Sequence, residues 1–302
     1  EGRADHEWVV EYLNFGHRLK VLYEDGVTYL GGHFYRLALP YERGIEAEQS
    51  FAGASLFPLP EMRSQNLKEK GHVRDHKYFR TTKDSFDTDS IFHLIDRLKG
   101  YGNSGTAHGE LGPFAKFIPG CDLVLCCDMG VEPGDFILSS PERLCFVHVK
   151  CGDTINPKSS AGALAEVGSQ AIKNIHMLVS NNKNIKPGNF KTWNGCWPSN
   201  DATYPLGTRY RLFDGQINHP VAPDGSLSER VWDLICERRK SMRCKKEIWI
   251  VGGNSFSSDH FIKSMGNPLK SSPESIQAFQ LIEDWLSTAD ELDVDLRIFT
   301  SP

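Results

Sequence analysis

The order of apolar and polar positions in the middle of the chain predicts a small antiparallel sheet. Residues 121–128, 135–139 and 144–150 form three short and almost wholly apolar runs, which is typical of buried strands. The links 129–134 and 140–143 are short and contain Gly, Pro and Ser. Because links of this length join antiparallel neighbours, we expect a β-meander.

Helical periodicity precedes and follows this meander. Residues 85–100 have helical spacing, with Ser85 or Asp87 as the expected N-cap and Gly100 as the end. A second helix is predicted over 160–178, where apolar residues recur with a period of 3.6. Its apolar stripe contains Leu164, Val167, Ala171, Ile175 and Leu178.

The remainder of the chain also alternates between helices and strands. A capping-box pattern predicts a helix that begins at Ser226, and Ser272 followed by Pro predicts another. The runs 247–251 and 295–299 are predicted strands. Together with the meander, this order predicts an α/β fold with a mixed central sheet flanked by helices.

The N-terminal part has a different pattern. Residues 1 to about 60 alternate over short runs, with turn signals at Asp25-Gly26 and Gly31-Gly32, and 61–85 are polar, as in a surface loop. We therefore divide the chain into a β-rich extension with its loop, residues 1–84, and an α/β domain, residues 85–302.

Composition narrows the possible partners. The chain has 302 residues and a net charge of −5, so a nucleic-acid site must be a local patch. No apolar run reaches the ~18 residues of a membrane span. The first residues lack the apolar core of a signal peptide, and the eight cysteines form no CxxC pair. These features predict a cytoplasmic protein with reduced thiols, and the absence of an initiator Met suggests a piece of a longer chain.

Charged residues converge at one end of the predicted meander. His148 and Lys150 share one face of the third strand, and Asp135 opens the second strand. Reversal of the chain places the start of the second strand opposite the end of the third. Asp128 and Glu132 belong to the same hairpin as Asp135. Because burial of an unpaired Lys is costly, these carboxylates are the expected partners of Lys150.

Phosphodiester hydrolysis requires groups of these kinds. Carboxylate oxygens hold a hard divalent cation, Mg²⁺ or Mn²⁺, which activates water and neutralises phosphate charge. An ammonium group nearby orients the nucleophile and stabilises developing charge. Asp135 and Lys150 match these two roles. The alternative is a structural ion pair, with Lys150 as a strand-end lysine that reaches solvent and His148 as a core histidine.

Gly134-Asp135 followed by His148-Val149-Lys150 resembles the PD-(D/E)xK motif of restriction-endonuclease-like nucleases. This resemblance implies an αβββαβ core, and it implies that Gln170, on the following helix, supports the site. The segments CCDMGVEPGDFI, FVHVK, AEVGSQAIKNI and DLRIFTSP are similar to the nuclease-like region appended to bacterial anti-phage superfamily 2 helicases.

The resemblance to the helicase-associated region extends discontinuously over residues 85–302 and implies several functional properties. They are metal-dependent cleavage of DNA, with double-stranded DNA favoured, a role in anti-phage defence or restriction, and a helicase or another defence-system subunit as partner. Homo-oligomers are expected if cuts are paired. The alternative is an inactive module of the same fold that binds DNA or a partner subunit.

The chain departs from the family motif at two positions. Gly134 stands where Pro is usual, and His148 stands where an acid is usual. Three explanations stay open for His148: it binds Mn²⁺ or a softer metal, a carboxylate of Glu132 or Glu166 replaces the acid, or the site is inert. Glu110, before the first strand of the meander, is a further candidate ligand.

Basic residues supply candidate contacts to nucleic acid. Lys173 shares a helix face with Glu166 and Gln170, and Lys191 lies in a loop with Trp193 and Trp197. Lysines beside aromatic residues suit phosphate contact and base stacking. The other candidates are in the basic run 238–246: Arg238, Arg239 and Arg243. The alternative for this run is a solvated helix end.

Overall fold

The structure is a computed structural model, and it describes residues 21–22, 27–30, 33–36, 51–70, 85–197, 207–222, 224–267 and 270–302. Its strands are β1 (Val21–Leu22), β2 (Val27–Leu30), β3 (His33–Arg36), β4 (Leu56–Pro58), β5 (Leu123–Cys126), β6 (Phe136–Ser140), β7 (Arg143–Cys151), β8 (Tyr210–Phe213), β9 (Gln216–Ile217), β10 (Lys245–Ser257) and β11 (Val294–Ser301). Its α-helices are α1 (Phe51–Ala54), α2 (Ile91–Asp96), α3 (Ala161–Val179), α4 (Ser226–Lys240), α5 (Ser258–Met265) and α6 (Pro273–Glu291).

The main sheet is mixed and has eight strands in the order β4-β11-β10-β7-β6-β5-β8-β9. The strands β4, β11, β10 and β7 are parallel neighbours, whereas β7, β6, β5, β8 and β9 are paired antiparallel. The predicted meander is therefore confirmed as β5, β6 and β7. A crossover that contains α3 and α4 leads from β7 to the parallel strand β10.

Strand alternation sends side chains into two separate cores. Ile137, Leu144 and Phe146 pack with residues of α3, α4 and α6 on one face. Phe136 and Val147 pack on the other face with residues of α2 and its neighbouring segments. Because both faces are covered, the central strands read as nearly continuous apolar runs in the sequence.

The helix α3 fixes one layer against the sheet. Its predicted apolar stripe is confirmed, since all five of those residues are buried. Gly168 lies where α3 meets α6, and a Cβ there would come within 2.1 Å of the Trp285 ring. A residue larger than Gly would force the two helices apart.

The helix boundaries differ from the predictions in two places. Ser90, rather than Ser85 or Asp87, caps α2 by accepting a hydrogen bond from the His93 N–H. The expected capping box at Ser226 is wrong, because the N-cap of α4 is Gly225 with φ 76° and no side-chain hydrogen bond caps the helix. The prediction at Ser272 is confirmed: its side chain caps α6 and Pro273 is the first helical residue.

Part of the N-terminal segment belongs to the main sheet. Leu56–Pro58 pairs with β11, so the sheet continues across the predicted boundary between residues 84 and 85. The strands β1, β2 and β3 form a separate antiparallel sheet, while the predicted turns at 25–26 and 31–32 lie outside the described residues. No helix in the described ranges has the length and apolar character needed to cross a membrane.

Candidate functional site at one end of the central sheet

The β6–β7 hairpin brings the predicted motif residues to one end of the sheet. Phe136 pairs with Val147, and the preceding Asp135 donates its N–H to the Val147 carbonyl at 2.7 Å. Asp135 and Phe136 therefore both lie against Val147, which makes the pairing irregular at the start of β6. Alternation assigns His148 and Lys150 to the face that carries α3, whereas the charged neighbours of Asp135 are Asp128, Lys70 and Glu69.

The Asp135 carboxylate is held between the two strands. It accepts a hydrogen bond from the Val149 N–H at 2.7 Å. Burial, together with the nearby charge of Asp128, holds the pKa of Asp135 well above its ordinary value, although Lys70 acts against this shift. A further cation that approaches this carboxyl group would stabilise its charged form.

Gly134, in the position of the usual Pro, is explained by close packing. A Cβ at this residue would come within 2.9 Å of the Val147 carbonyl oxygen and 3.5 Å of His148 Nε2. Larger residues would therefore push the hairpin away from β7. Gly134, in place of Pro, allows the start of β6 to lie close to the His148 side chain.

The hairpin between β5 and β6 is anchored from several sides. Asp128 is buried, and its carboxylate accepts hydrogen bonds from the Trp197 indole N–H at 3.0 Å and from the Lys70 ammonium at 2.8 Å. The Asn189 amide donates to the carbonyls of Cys127 and Met129 at 2.6 and 2.9 Å. This anchoring fixes the end of β5 beside the start of β6.

Two buried polar atoms at this end of the sheet lack partners in the described part of the chain. They are Nε2 of His148 and Oε2 of Glu132. His148 is only 3% exposed, and burial lowers its pKa to about 4, so the imidazole is neutral near pH 7. Burial also raises the pKa of Glu132. A neutral imidazole nitrogen and a carboxylate oxygen without partners are available to coordinate a cation.

These donors do not by themselves make a complete metal site. Within the described ranges, no three His, Cys, Asp or Glu side chains are grouped as ligands of one ion. Mg²⁺ is commonly held by one or two carboxylates, with substrate phosphate and water as its other ligands. Asp135 fits such an incomplete set, and its charge interacts with that of the nearby Asp128.

The partner of Lys150 is on the helix rather than in the hairpin. Its ammonium lies 2.7 Å from Oε1 of Glu166, and this hydrogen bond is the main reason for the raised pKa of Lys150. The expected pairing of Lys150 with the hairpin carboxylates is therefore wrong. Both side chains are partly open to solvent, and Gln170, one turn further along α3, is exposed.

Two of the five candidate nucleic-acid contacts adjoin the acidic hairpin. Lys173 is exposed and precedes Asn174, whose amide donates to the Glu132 carbonyl at 3.1 Å. Lys191 is also exposed and lies two residues after Asn189, which holds the hairpin. Both lysines are thus on segments that contact the end of the sheet where Asp135 lies.

The three arginines of the basic run are at the opposite end. Arg238 pairs with Asp122, just before β5, at 2.7 Å, and Arg243 is exposed just before β10. The β10 strand begins beside Arg143, seven residues before Lys150, which is roughly 23 Å along a strand. Arg239 is buried, with its guanidinium 4.4 Å from the Trp232 ring centroid. The structure does not bring these arginines to Asp135.

Three further candidates have local structural roles. Trp193 and Trp197 are buried, so the predicted stacking of bases on them is wrong. Trp193 donates to the Asn189 side chain at 3.3 Å, and Trp197 donates to Asp128. Glu110 is exposed, and its carboxylate accepts a hydrogen bond from the nearby Ala107 N–H at 3.3 Å.

Lys70 is the site residue that sequence reasoning missed. It lies in the polar stretch that was predicted to be a surface loop, 58 residues before Asp128. Burial alone would lower the pKa of Lys70, but the charges of Asp128 and Asp135 outweigh this effect and raise it. No local sequence pattern indicates such a long-range contact.

Comparison with known proteins gives no further constraint on this site. No known protein family, curated protein or solved structure matches the chain. A function is therefore inferred from the arrangement of Asp135, His148, Lys150 and their neighbours.

Proposed function

We propose that the protein is a metal-dependent nuclease that hydrolyses phosphodiester bonds in DNA. The observation that carries this proposal is the backbone contact of Asp135 with β7: its N–H donates to the Val147 carbonyl, three residues before Lys150. The hydrogen bond from the Val149 N–H fixes the carboxylate in this position. A carboxylate and an ammonium group beside a partly open helix surface suit catalysis on a phosphodiester.

The connectivity around the site supports the same proposal. Three antiparallel strands, β5 to β7, are followed by α3 and, after an inserted segment that contains β8, β9 and α4, by the parallel strand β10. This succession is compatible with the αβββαβ core that the PD-(D/E)xK resemblance implies. Fold alone does not define an activity, so the site residues carry the functional argument.

Asp135 would hold the cation, and His148 Nε2 and Glu132 Oε2 are donors at this end of the sheet that lack partners among the described residues. Mg²⁺ would rely on Asp135, substrate oxygens and water, whereas Mn²⁺ would also accept the imidazole nitrogen. When bound, the ion would supply an activated water and neutralise charge on the phosphate. Of the explanations for His148, its use as a nitrogen ligand fits its neutral state best.

Lys150 would act on the phosphate directly. Its raised pKa keeps the ammonium charged near neutral pH, and Glu166 holds it at the surface of α3. The charged amine would orient the attacking water and stabilise negative charge as the phosphate is attacked. Gln170 would support the same phosphate from the next turn, and Lys173 and Lys191 would hold the DNA backbone.

Plasmid cleavage tests the proposal. Wild-type protein with Mg²⁺ or Mn²⁺ should convert supercoiled DNA to nicked or linear DNA, and Lys150→Met should lose this activity. Lys186→Met is a matched control, because Lys186 forms an ion pair with Glu229 at 2.6 Å and its side chain is about as exposed as that of Lys150. Equal cleavage by wild type and Lys150→Met would contradict the assigned role.

The second candidate is a binding module without catalysis. The observation in its favour is that His148 replaces the usual acid and that no group of three ligand side chains exists among the described residues. This module predicts metal-independent binding of DNA or a partner subunit, with no cleavage by wild type or variants. On either reading, the resemblance motivates a proposed cytoplasmic role in anti-phage defence, within or beside a helicase.

A further inference from the structure

A buried arginine in the last turn of α4 has no acid to pair with in the described part of the chain. Arg239 is only 3% exposed, and its Nε, Nη1 and Nη2 atoms all lack hydrogen-bond partners among the described residues. A guanidinium group offers five N–H donors in a fixed planar fork. Burial of such a charge without a partner is strongly unfavourable, so an anion is needed to complete the arrangement.

The acidic group that acts on Arg239 from within the chain is a thiol, and it is uncharged. This group is Cys236, one turn earlier on α4. Burial raises the pKa of the Cys236 thiol, so it stays protonated near pH 7. Burial lowers the pKa of Arg239 to about 10, which leaves its guanidinium charged at the same pH. The positive charge is therefore not balanced by Cys236.

Further positive charges gather around the same turn of α4. The charges of Lys183 and Lys240 act on the Cys236 thiol, as does that of Arg239. Asp233 acts on this thiol with the opposite sign, but it is exposed. Several positive charges around one small site favour a phosphate group, which has up to two negative charges, over a carboxylate with one.

An aromatic ring holds the guanidinium group in place. The Cζ atom of Arg239 lies 4.4 Å from the Trp232 ring centroid, and the Trp232 indole N–H donates to the Lys183 carbonyl at 2.8 Å. Stacking on a ring uses the face of a guanidinium and leaves its N–H edge for an oxyanion. Because Lys183 and Lys240 are exposed while Arg239 is enclosed, a small ion fits this position better than a DNA duplex.

We infer that Arg239 anchors a binding site for the phosphate group of a small molecule. Two N–H groups of the guanidinium would donate to two phosphate oxygens and so satisfy the buried charge. The ammonium groups of Lys183 and Lys240 would add attraction from the solvent side. This site is at the end of the sheet where Arg238 pairs with Asp122, away from Asp135, so the inference does not depend on the proposed nuclease.

Thermal unfolding with inorganic phosphate tests the site. Phosphate should raise the Tm of wild type by roughly 5 °C at about a hundredfold excess over its Kd, and it should not raise that of Arg239→Met beyond the general effect of the salt. Arg243→Met, which removes an exposed arginine of the same basic run, should respond as wild type does. Equal stabilisation of wild type and Arg239→Met would overturn the inference.

The same variants give a second result of opposite sign. In a buffer without oxyanions, Arg239→Met should melt at or above the Tm of wild type, because it removes a buried charge that has no partner. A clear loss of stability or a failure to fold under these conditions would show that the guanidinium is already satisfied within the chain. That outcome would also overturn the inference.

Direct binding to the wild-type protein needs no substitution. The ³¹P resonance of inorganic phosphate should broaden on titration with wild type, and a nucleoside monophosphate should compete if the natural ligand is a nucleotide. Broadening without such competition would support free phosphate as the ligand. The absence of broadening, or stabilisation by acetate equal to that by phosphate, would reject a phosphate site.

Discussion

The two ends of the central sheet both contain a buried acid, but only one of these acids is fully paired. At the end where β7 and β10 begin, Glu247 is completely buried. Its carboxylate accepts hydrogen bonds from Arg143, from Arg297 at 3.4 Å and from the Trp249 indole N–H at 2.7 Å. Such a network stabilises a fold and leaves no oxygen for a ligand.

At the other end, the acids are incompletely satisfied. Asp135 has a raised pKa, and within the described ranges one atom each of His148 and Glu132, at the same end of the sheet, has no partner. A perturbed carboxyl group near unsatisfied donors is typical of a functional site. The contrast shows that burial alone does not distinguish a structural acid from a functional one. The distinguishing feature is whether ligand atoms around the acid still lack partners.

The largest expected effect is on stability at the paired end. Glu247→Ala should lower the free energy of unfolding by about 3–5 kcal/mol, because it leaves Arg143 and Arg297 without their shared acid. Asp135→Asn should change it by less than about 1 kcal/mol near pH 7, since the charged form of Asp135 is unfavourable there. Denaturant unfolding of both variants tests the contrast, and similar losses would erase it.

The pH dependence of stability should reveal His148. Its folded pKa, about 4, is below the ordinary value of 6.5, so the unfolded chain binds the proton more tightly between these values. His148 therefore contributes stability that is present above pH 6.5 and lost as the pH falls through 4, about 3 kcal/mol in all. The difference in unfolding free energy between wild type and His148→Gln should grow by this amount from pH 4 to 6.5.

Asp135 provides a control of opposite sign for that experiment. Its folded pKa is raised, so the folded protein binds the proton more tightly than the unfolded chain. The stability it contributes is present below pH 3.8 and is lost as the pH rises through the folded pKa. The difference between wild type and Asp135→Asn should therefore fall with rising pH, and slopes of the same sign for both variants would be inconsistent with the pKa shifts.

Variants at the two ends of the sheet should also differ in DNA binding, but by a smaller amount than in stability. Lys173→Ala and Lys191→Ala should each weaken binding by roughly threefold to tenfold and reduce the salt slope by about one. Arg243→Ala, at the other end, should leave both unchanged. Fluorescence anisotropy over a salt series measures this difference, and a dominant effect of Arg243 would move the nucleic-acid surface away from Asp135.

The smallest expected effect is the contribution of the Lys150–Glu166 ion pair to the stability of the protein. Both side chains are partly open to solvent, so Glu166→Gln should change the unfolding free energy by about 0.5 kcal/mol or less. Glu229→Gln, in the similarly exposed pair with Lys186, should behave the same. The variants should differ only in DNA cleavage, which Glu166→Gln should reduce, and equal cleavage would show that Glu166 does not position Lys150.

Local periodicity was sufficient to predict most of the elements around the site. The strands β5, β6 and β7 and the helix α3 follow from apolar runs and a 3.6-residue stripe, which depend on short-range sequence order. Alternation also placed His148 and Lys150 on one face. The capping box at Ser226 failed because Gly225, with a positive φ, supplied a different helix start.

The partners of the site residues could not be predicted in this way. Lys70 meets Asp128 across 58 residues, and Lys150 meets Glu166 only because α3 folds back over β7. Trp197 looked like a base-stacking residue, but its burial against Asp128 depends on tertiary packing. Such contacts are determined by chain topology rather than by neighbours in sequence.

The most direct test of the central claim is the single-turnover cleavage rate of Asp135→Asn on double-stranded DNA with Mn²⁺ or Mg²⁺. Asp122→Asn is the matched control, because Asp122 lies at the other end of the sheet, paired with Arg238. Cleavage should fall at least about a hundredfold in Asp135→Asn and stay at the wild-type rate in Asp122→Asn. Equal rates for Asp135→Asn and wild type would contradict a catalytic centre at Asp135.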